Sequence, residues 1–203
     1  GPTPAPYPGG VTDTSTDSLD LSAVRVALIG AGNMGGPVGR TMLDAGVRPE
    51  NLRIANSSPA SSERAAEELG ATAAASRAEA IEGADVVVLG VKPYQIFDLV
   101  AELRDDLPDG AVVLSLAAGT TLAQIQDALP SGAAVARAMP NTPISVGEGA
   151  VGLMRGDAVS DEQHALLHAL FSRAGVAVDI TEEQVHAFIG TAGSMPAFVF
   201  TLI

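Results

Sequence analysis

The sequence predicts an α/β protein with a Rossmann-type, doubly wound and mostly parallel sheet. Three observations lead to this fold class. Short apolar runs alternate with helical segments from residue 24 onward. A glycine-rich loop, Gly30-x-Gly32-x-x-Gly35, follows the first apolar run and begins a helix. Several later runs, such as residues 86–91, are continuously apolar, which is typical of parallel strands covered by helices on both faces.

Boundary residues support each predicted element. Ser58 is placed to cap a helix that starts with Pro59. The pairs Thr121/Gln124 and Ser160/Gln163 have the spacing of capping boxes. The predicted order is strand 24–29, helix 34–45, strand 52–56, helix 59–69, strand 86–91, helix 93–103, strand 111–116, helix 122–129, strands 135–138 and 150–153, helix 161–174 and strand 176–180.

The two ends of the chain differ from this alternation. Residues 1–23 are rich in Pro, Ser, Thr and Asp without periodicity, so we expect a disordered tail or a remnant of a processed start. Residues 24–180 are predicted to form the dinucleotide-binding domain. After residue 180 the strand signals stop, and Thr181/Gln184 would cap a helix. The strongly apolar final segment indicates that 181–203 is the start of a truncated, all-helical dimerisation domain.

Composition excludes several classes of function. The chain has 203 residues, of which 47% are hydrophobic, and a formal net charge of -13. This charge repels phosphate backbones and anionic lipids, so nucleic acid and membrane surfaces are not expected partners. The absence of cysteine excludes disulfides and thiol catalysis. No apolar run approaches the ~18 residues of a membrane span, and no secretory signal is visible, so we expect a cytoplasmic protein.

The glycine-rich loop predicts dinucleotide binding. Gly30 would permit a tight turn, Gly32 would let backbone N–H groups approach a pyrophosphate, and Gly35 would allow close packing of helix on strand. Asn33 and Met34 lie inside the loop. A purely structural glycine turn is the alternative, but the strand before it and the helix after it favour binding.

The end of the second predicted strand indicates which dinucleotide binds. Enzymes that use NAD usually have an acidic residue there to hold the ribose hydroxyls. Here Asn56, Ser57 and Ser58 offer neutral hydrogen-bonding groups at a helix start, which favours NADPH over NADH. Arg64, one turn or so into the helix that follows, is the basic residue expected near this segment.

Other polar residues carry weaker signals. Lys92, between Val91 and Pro93, follows a predicted strand and would either contact the cofactor or extend into solvent. His164, His168 and His186 lie on predicted helices, and we assign them surface or packing roles with no paired carboxylate and no metal site. The sequence contains no Ser/His/Asp pattern of a serine hydrolase, no zinc-site pattern and no P-loop of the kind found in nucleoside triphosphatases.

Four further motifs are specific: Asn33-Met34 within the glycine loop, Val91-Lys92-Pro93, Ala117-Ala118-Gly119 and, above all, the segment 139–143 followed by Gly147 and Gly149. In these motifs the chain resembles the pyrroline-5-carboxylate reductase family, and the resemblance runs from residue 24 to residue 203. It implies NAD(P)H-dependent reduction of a cyclic imine to proline. It also implies a helical domain that forms homodimers, and decamers in some members. The implied cofactor contacts include Val91, Lys92, Pro93, Ala118 and Asn141.

The resemblance also implies a substrate site near the end of the chain. Ser194, with the start of the helix at Pro196, would hold the substrate carboxylate, and Thr201 would hydrogen-bond the ring nitrogen. The family's hinge pattern is altered here at four positions, namely His186, Ile189, Ala192 and Met195. The alternatives are therefore a reductase of another cyclic imine or a non-catalytic NADP-binding protein. A β-hydroxy-acid enzyme is disfavoured because residues 161–174 contain no lysine.

Overall fold

The computed structural model describes residues 19–185, except the side chain of Thr142. The strands are β1 (Val26–Ile29), β2 (Leu52–Ala55), β3 (Thr72–Ala73), β4 (Val86–Leu89), β5 (Val112–Ser115), β6 (Ala134–Pro140), β7 (Gly149–Arg155) and β8 (Gly175–Asp179). The α-helices are α1 (Gly35–Ala45), α2 (Pro59–Leu69), α3 (Arg77–Ile81), α4 (Ile96–Leu103), α5 (Leu122–Ala128) and α6 (Asp161–Leu170).

The strands form one eight-stranded sheet in the order β3-β2-β1-β4-β5-β6-β7-β8. All neighbours from β3 to β6 pair in parallel, whereas β7 pairs antiparallel with β6 and parallel with β8. The chain therefore moves from β1 outward to β3 and then returns to β4 on the other side of β1. This reversal between β1 and β4 is the position where open α/β sheets bind ligands.

Helices cover both faces of the sheet, as the apolar strands predict. One hydrophobic cluster joins the sheet to α1, α2 and α6 and includes Leu28, Met42 and Leu170. The second joins it to α3, α4 and α5 and includes Ile29, Ile96 and Ile125. Among the described residues, no helix is both long and apolar enough to cross a membrane.

The fold class and the main elements are confirmed, with local corrections. The predicted caps form: Ser58 accepts from the N–H of Ser61, and capping boxes close at Thr121 and Ser160. The last long helix ends at Leu170 rather than near residue 174. The segment from Pro93 begins as a 3₁₀ turn before α4. Strand β3 and helix α3 were not predicted, because two and five residues are too short to show a period.

The ordered domain also begins earlier than predicted. Leu21, which we assigned to the disordered tail, is buried in the core with Met42 and Val47. The side chain of Asn51 donates a hydrogen bond of 3.1 Å to the carbonyl of Ser22. Residues 19–23 therefore pack on the domain, and the rest of the predicted tail, residues 1–18, lies outside the described residues.

The backbones of β1, α1 and β4 approach very closely after β1. A Cβ atom on Gly35 or on Gly90 would overlap the carbonyl oxygen of Gly30. Gly30 itself has φ of 93°, and a Cβ there would lie 2.9 Å from backbone atoms of Gly90 and Val91. Only glycine fits these three positions, since each potential clash is with backbone rather than with a movable side chain.

This contact predicts opposite effects for two adjacent substitutions in α1. We expect Gly35→Ala to lower the free energy of unfolding by about 3 kcal/mol or more, because the new methyl group is forced against Gly30. Gly36→Ala is the matched control: within the described part of the chain nothing lies within 4 Å of its Cβ position, so we expect it to stabilise by about 0.5–1 kcal/mol. Urea unfolding of both variants measures the difference. Equal stability of the two would contradict the close approach.

Candidate dinucleotide-binding site

A groove lies at the carboxyl ends of β1, β2 and β4, at the reversal of strand order. It brings together predicted residues from three separate segments, and its lining includes Gly30, Gly32, Asn56, Ser57, Val91 and Lys92. A second cavity continues from Gly32 and Val91 past the start of α1. Its lining includes Asn33, Met34, Pro93 and Ala118. The topology thus collects most of the predicted cofactor residues in one continuous region.

The start of α1 is suited to an anion. Met34, the residue before the helix, makes no side-chain capping bond, and the first turn contains no acidic residue. The positive end of the helix dipole is therefore not compensated by a carboxylate of its own helix. Gly32 is exposed, and no described residue has an atom within 4 Å of the position that its Cβ would occupy. A phosphate group has room to approach the backbone at this point.

Asn56 makes structural contacts that the sequence did not predict. Its Oδ1 accepts a 2.7 Å hydrogen bond from the N–H of Ala31 in the glycine loop. Its Nδ2 donates to the carbonyl and the hydroxyl of Ser61, and its own N–H donates to Ser62. Asn56 therefore fixes the glycine loop to the start of α2, and its amide is already engaged within the protein. An aspartate at position 56 would have no N–H group to donate to Ser61.

Arg77 is a basic residue at this site that sequence reasoning missed. It begins α3, and its side chain lines the groove beside Ser57 and a neighbouring cavity lined by Ser57 and Ser58. Its guanidinium forms a 2.7 Å ion pair with Glu102 on α4, while its buried Nε has no hydrogen-bond partner among the described residues. Arg64, the residue suggested by the sequence, is exposed on α2 and lines neither cavity.

A buried ion pair supports the loop that carries Ala118. Arg137 of β6 has a side chain only 4% exposed and pairs with Glu182 at 2.6 Å. The Arg137 guanidinium also donates to the carbonyls of Ala117 and Ala118. Glu182 further accepts from the N–H of Leu122 at the start of α5. One carboxylate after β8 is thereby linked to the middle of β6, the loop after β5 and the start of α5.

Other predicted residues support the site or lie elsewhere. Gly35 is buried and forms part of the close approach to Gly30. Asn141 follows β6, where its Oδ1 accepts from the N–H of Ala150, and it is not part of the lining of these cavities. Ser194, Thr201 and the whole hinge from His186 onward lie outside the described residues.

The prediction that the described histidines lack a paired carboxylate is wrong. His164 and His168 both approach Asp179 of β8, with Nε2–Oδ1 distances of 2.9 and 2.7 Å. The sequence did not predict this contact because the histidines lie on a helix and the aspartate on the following strand. Only the folded structure determines how the helix and the strand are aligned with each other. The two histidines are four residues apart on α6, in a His-x-x-x-His pattern, and this spacing places both rings on one face of the helix.

The sheet order and the glycine loop define a Rossmann-type, dinucleotide-binding class of protein. A family described as "NADP oxidoreductase coenzyme F420-dependent" matches residues 25–119. Similarity to named proteins extends over most of the chain. Pyrroline-5-carboxylate reductase of Escherichia coli (strain K12) is 33% identical over 180 residues, which cover 88% of this chain and 67% of that protein. The chain belongs to the pyrroline-5-carboxylate reductase family.

Two further comparisons agree with this assignment. The Corynebacterium melassecola pyrroline-5-carboxylate reductase is 32% identical over 178 residues, covering 86% of this chain and 66% of that protein. The solved structure of a pyrroline-5-carboxylate reductase from Coxiella burnetii matches with a TM-score of 0.77 at 32% identity, covering 90% of this chain and 68% of that one. The chain thus spans about two thirds of the length of these relatives.

The Arg137–Glu182 pair gives a prediction for stability. Glu182→Gln leaves a buried guanidinium without its carboxylate. We expect the free energy of unfolding to fall by about 3 kcal/mol, the lower end of the range for a broken buried ion pair, because Glu182 is partly exposed. Glu183→Gln, an exposed neighbour, is the control and should change stability by less than about 0.5 kcal/mol.

A double-mutant cycle isolates the pair itself. Arg137→Met combined with Glu182→Gln removes both charges, so we expect the double variant to be more stable than Glu182→Gln alone. Urea unfolding of the two single variants and the double variant gives the coupling energy. Additive losses would contradict a direct interaction between the two side chains.

Proposed function

We propose that the complete protein reduces 1-pyrroline-5-carboxylate to proline with NADPH. The main support for this proposal is the continuous groove at the ends of β1, β2 and β4, which is formed by the glycine loop, the start of α2 and Val91-Lys92. Membership of the pyrroline-5-carboxylate reductase family supports the choice of substrate. In the reaction, the C=N bond takes up a hydride at carbon and a proton at nitrogen, which yields the saturated ring amine.

The residues of the groove fit a dinucleotide. The open space at Gly32 and the uncapped start of α1 would receive the pyrophosphate. Asn33, Met34, Val91, Pro93 and Ala118 would form the walls toward the reacting end, with Arg137 holding the Ala118 loop in place. When bound, NADPH supplies the hydride. Val91, Lys92 and Pro93 remain cofactor contacts in this proposal, and Asn141 would act by fixing the chain after β6.

The groove favours NADPH over NADH by its charges. No acidic side chain stands at Asn56, Ser57 or Ser58, so a 2′-phosphate meets no direct repulsion from the end of β2. Arg77 supplies a positive group beside Ser57. Glu102 competes for that guanidinium, and binding of a phosphate would replace one charge-assisted hydrogen bond with another.

The substrate end of the proposal rests on the resemblance. Ser194 and the helix start at Pro196 would hold the carboxylate of the substrate, and Thr201 would hydrogen-bond the ring nitrogen. The altered hinge, including Met195, keeps another cyclic imine as the second candidate substrate. A non-catalytic NADP-binding protein is the third reading, and turnover distinguishes it from both.

Assembly and location belong to the same proposal. We propose a homodimer, and a higher oligomer such as a decamer, formed through the helical segment that begins near residue 181. The apolar sequence of residues 198–203 supports this, because a monomer would leave it in contact with water. The net charge of -13 supports a protein that works without nucleic acid or anionic membranes, and we propose a cytoplasmic location.

Cofactor preference provides one test of the groove. We expect Arg77→Gln to weaken NADPH binding by up to about tenfold and to leave NADH binding unchanged, since the contact with the 2′-phosphate replaces the ion pair with Glu102 and gains only part of the about 1.5–3 kcal/mol of a hydrogen bond between charged groups. Arg64→Gln, which removes an equal charge outside the groove, should alter neither affinity. Calorimetric titration of both cofactors measures this. Equal losses for NADPH and NADH, or tighter NADH binding by the unmodified protein, would refute the proposed preference.

Turnover tests the reaction itself on a full-length form of the protein. We expect NADPH oxidation that depends on pyrroline-5-carboxylate and yields proline. Ser194→Ala should lower kcat/KM by about 10–150-fold through loss of a bond to the carboxylate. Turnover only with a different cyclic imine would select the second candidate substrate. NADPH binding without turnover of either imine would leave a non-catalytic binding protein.

A further inference from the structure

The cluster of His164, His168 and Asp179 lies away from the dinucleotide groove. The two histidines are on α6, and Asp179 ends β8 at the outer edge of the sheet. Strand β8 is five places from β1 in the sheet, which at about 4.8 Å per strand puts it roughly 24 Å away. The proposed hydride transfer makes no use of these side chains, so their convergence calls for a separate explanation.

The three side chains meet at one point. The Nε2 atoms of both histidines lie within 2.9 Å of the same Asp179 oxygen, and one ligand atom from each residue lies within 4.8 Å of the other two. The histidine rings stand edge to face, with centroids 4.7 Å apart and planes at 71°. The two Nε2 atoms thus converge on one oxygen instead of pointing apart, as ligands of a single ion must.

The elements that carry these side chains are fixed by the core. Helix α6 is anchored by the buried Leu167 and Leu170, and its start is closed by the Ser160/Gln163 capping box. Strand β8 pairs with β7 up to Leu153 and Asp179. The backbone positions of the three residues are therefore fixed, and side-chain rotation must bring ligand atoms that now lie up to 4.8 Å apart to the spacing that one ion requires.

An ion can reach the cluster from one side. The side chain of Asp179 is 57% exposed, whereas those of His164 and His168 are 23% and 20% exposed, so an ion would enter from the Asp179 side.

We propose that His164, His168 and Asp179 bind one divalent transition-metal ion, with zinc as the best fit. Two imidazole nitrogens and one carboxylate oxygen are typical zinc ligands, and water would complete the tetrahedron. Metal–ligand bonds of about 2.0–2.1 Å place neighbouring ligand atoms roughly 3.3 Å apart. The present 2.7–2.9 Å contacts would therefore lengthen by about half an ångström as the ion takes the place of any proton on Nε2, which would move to Nδ1 of the same ring or to solvent. The ion would link α6 to the edge strand.

Binding of zinc to the full, tag-free chain tests the proposal by calorimetry, with Co²⁺ absorption as a report on coordination geometry. We expect one ion per chain and a tetrahedral cobalt spectrum. His168→Ala and Asp179→Asn should each weaken binding at least tenfold, because even loss of a group that only supports a ligand costs about 10–100-fold. Glu162→Gln removes a carboxylate from the exposed face of the same helix and should leave zinc affinity unchanged.

Three results would overturn the proposal. They are no binding by the unmodified chain, equal binding by all variants, and loss of binding in Glu162→Gln to the same extent as in the cluster variants. The first result would mean that the three side chains form a hydrogen-bonded cluster that binds no metal. The other two results would indicate adventitious binding of zinc to the acidic surface. Circular dichroism establishes that each variant is folded, and Asp179→Asn, which preserves side-chain shape, decides the outcome if His168→Ala does not fold.

Discussion

The close approach of three glycine backbones determines the geometry of the groove. Gly30, Gly35 and Gly90 bring the end of β1, the start of α1 and the end of β4 into contact that no side chain could share. This contact turns the chain sharply after β1, so α1 starts directly at the reversal of strand order. The uncapped helix start then faces the space between β1 and β4, where an anionic group would be held by backbone N–H groups.

Polar contacts between segments that are distant in the sequence also fix the geometry of the groove. Asn56 ties the glycine loop to the start of α2, and Arg137 ties the Ala117–Ala118 loop to Glu182 after β8. In each case one polar side chain takes several backbone or side-chain partners, which satisfies backbone groups that would be costly to bury unpaired, and of the polar atoms of these two side chains only the buried Nε of Arg137 has no partner among the described residues. The walls of the groove therefore depend on residues that do not line it, such as Glu182.

The sequence predicted the local features of this structure well and its long-range contacts poorly. Capping residues and glycines located α1, α2, α5 and the start of α6 because their effects act within one helical turn. Arg77 was missed because it lies on a helix of five residues, too short to be predicted, and reaches the groove only through the packing of α3 beside β2. The pairing of Arg137 with Glu182, 45 positions apart, leaves no periodic signal. The contact of His164 and His168 with Asp179 depends on the register of β8, which no local pattern specifies.

Binding of NADPH to Gly32→Ala is the most direct test of the claim that the glycine loop holds a dinucleotide. No atom of residues 19–185 lies within 4 Å of the added methyl group, so stability should change by less than about 0.5 kcal/mol. The methyl group would occupy the space needed by the pyrophosphate, and we expect NADPH affinity to fall at least about tenfold, or 1.4 kcal/mol. Gly36→Ala should keep full affinity. Unchanged NADPH binding by a stable Gly32→Ala variant would contradict the account.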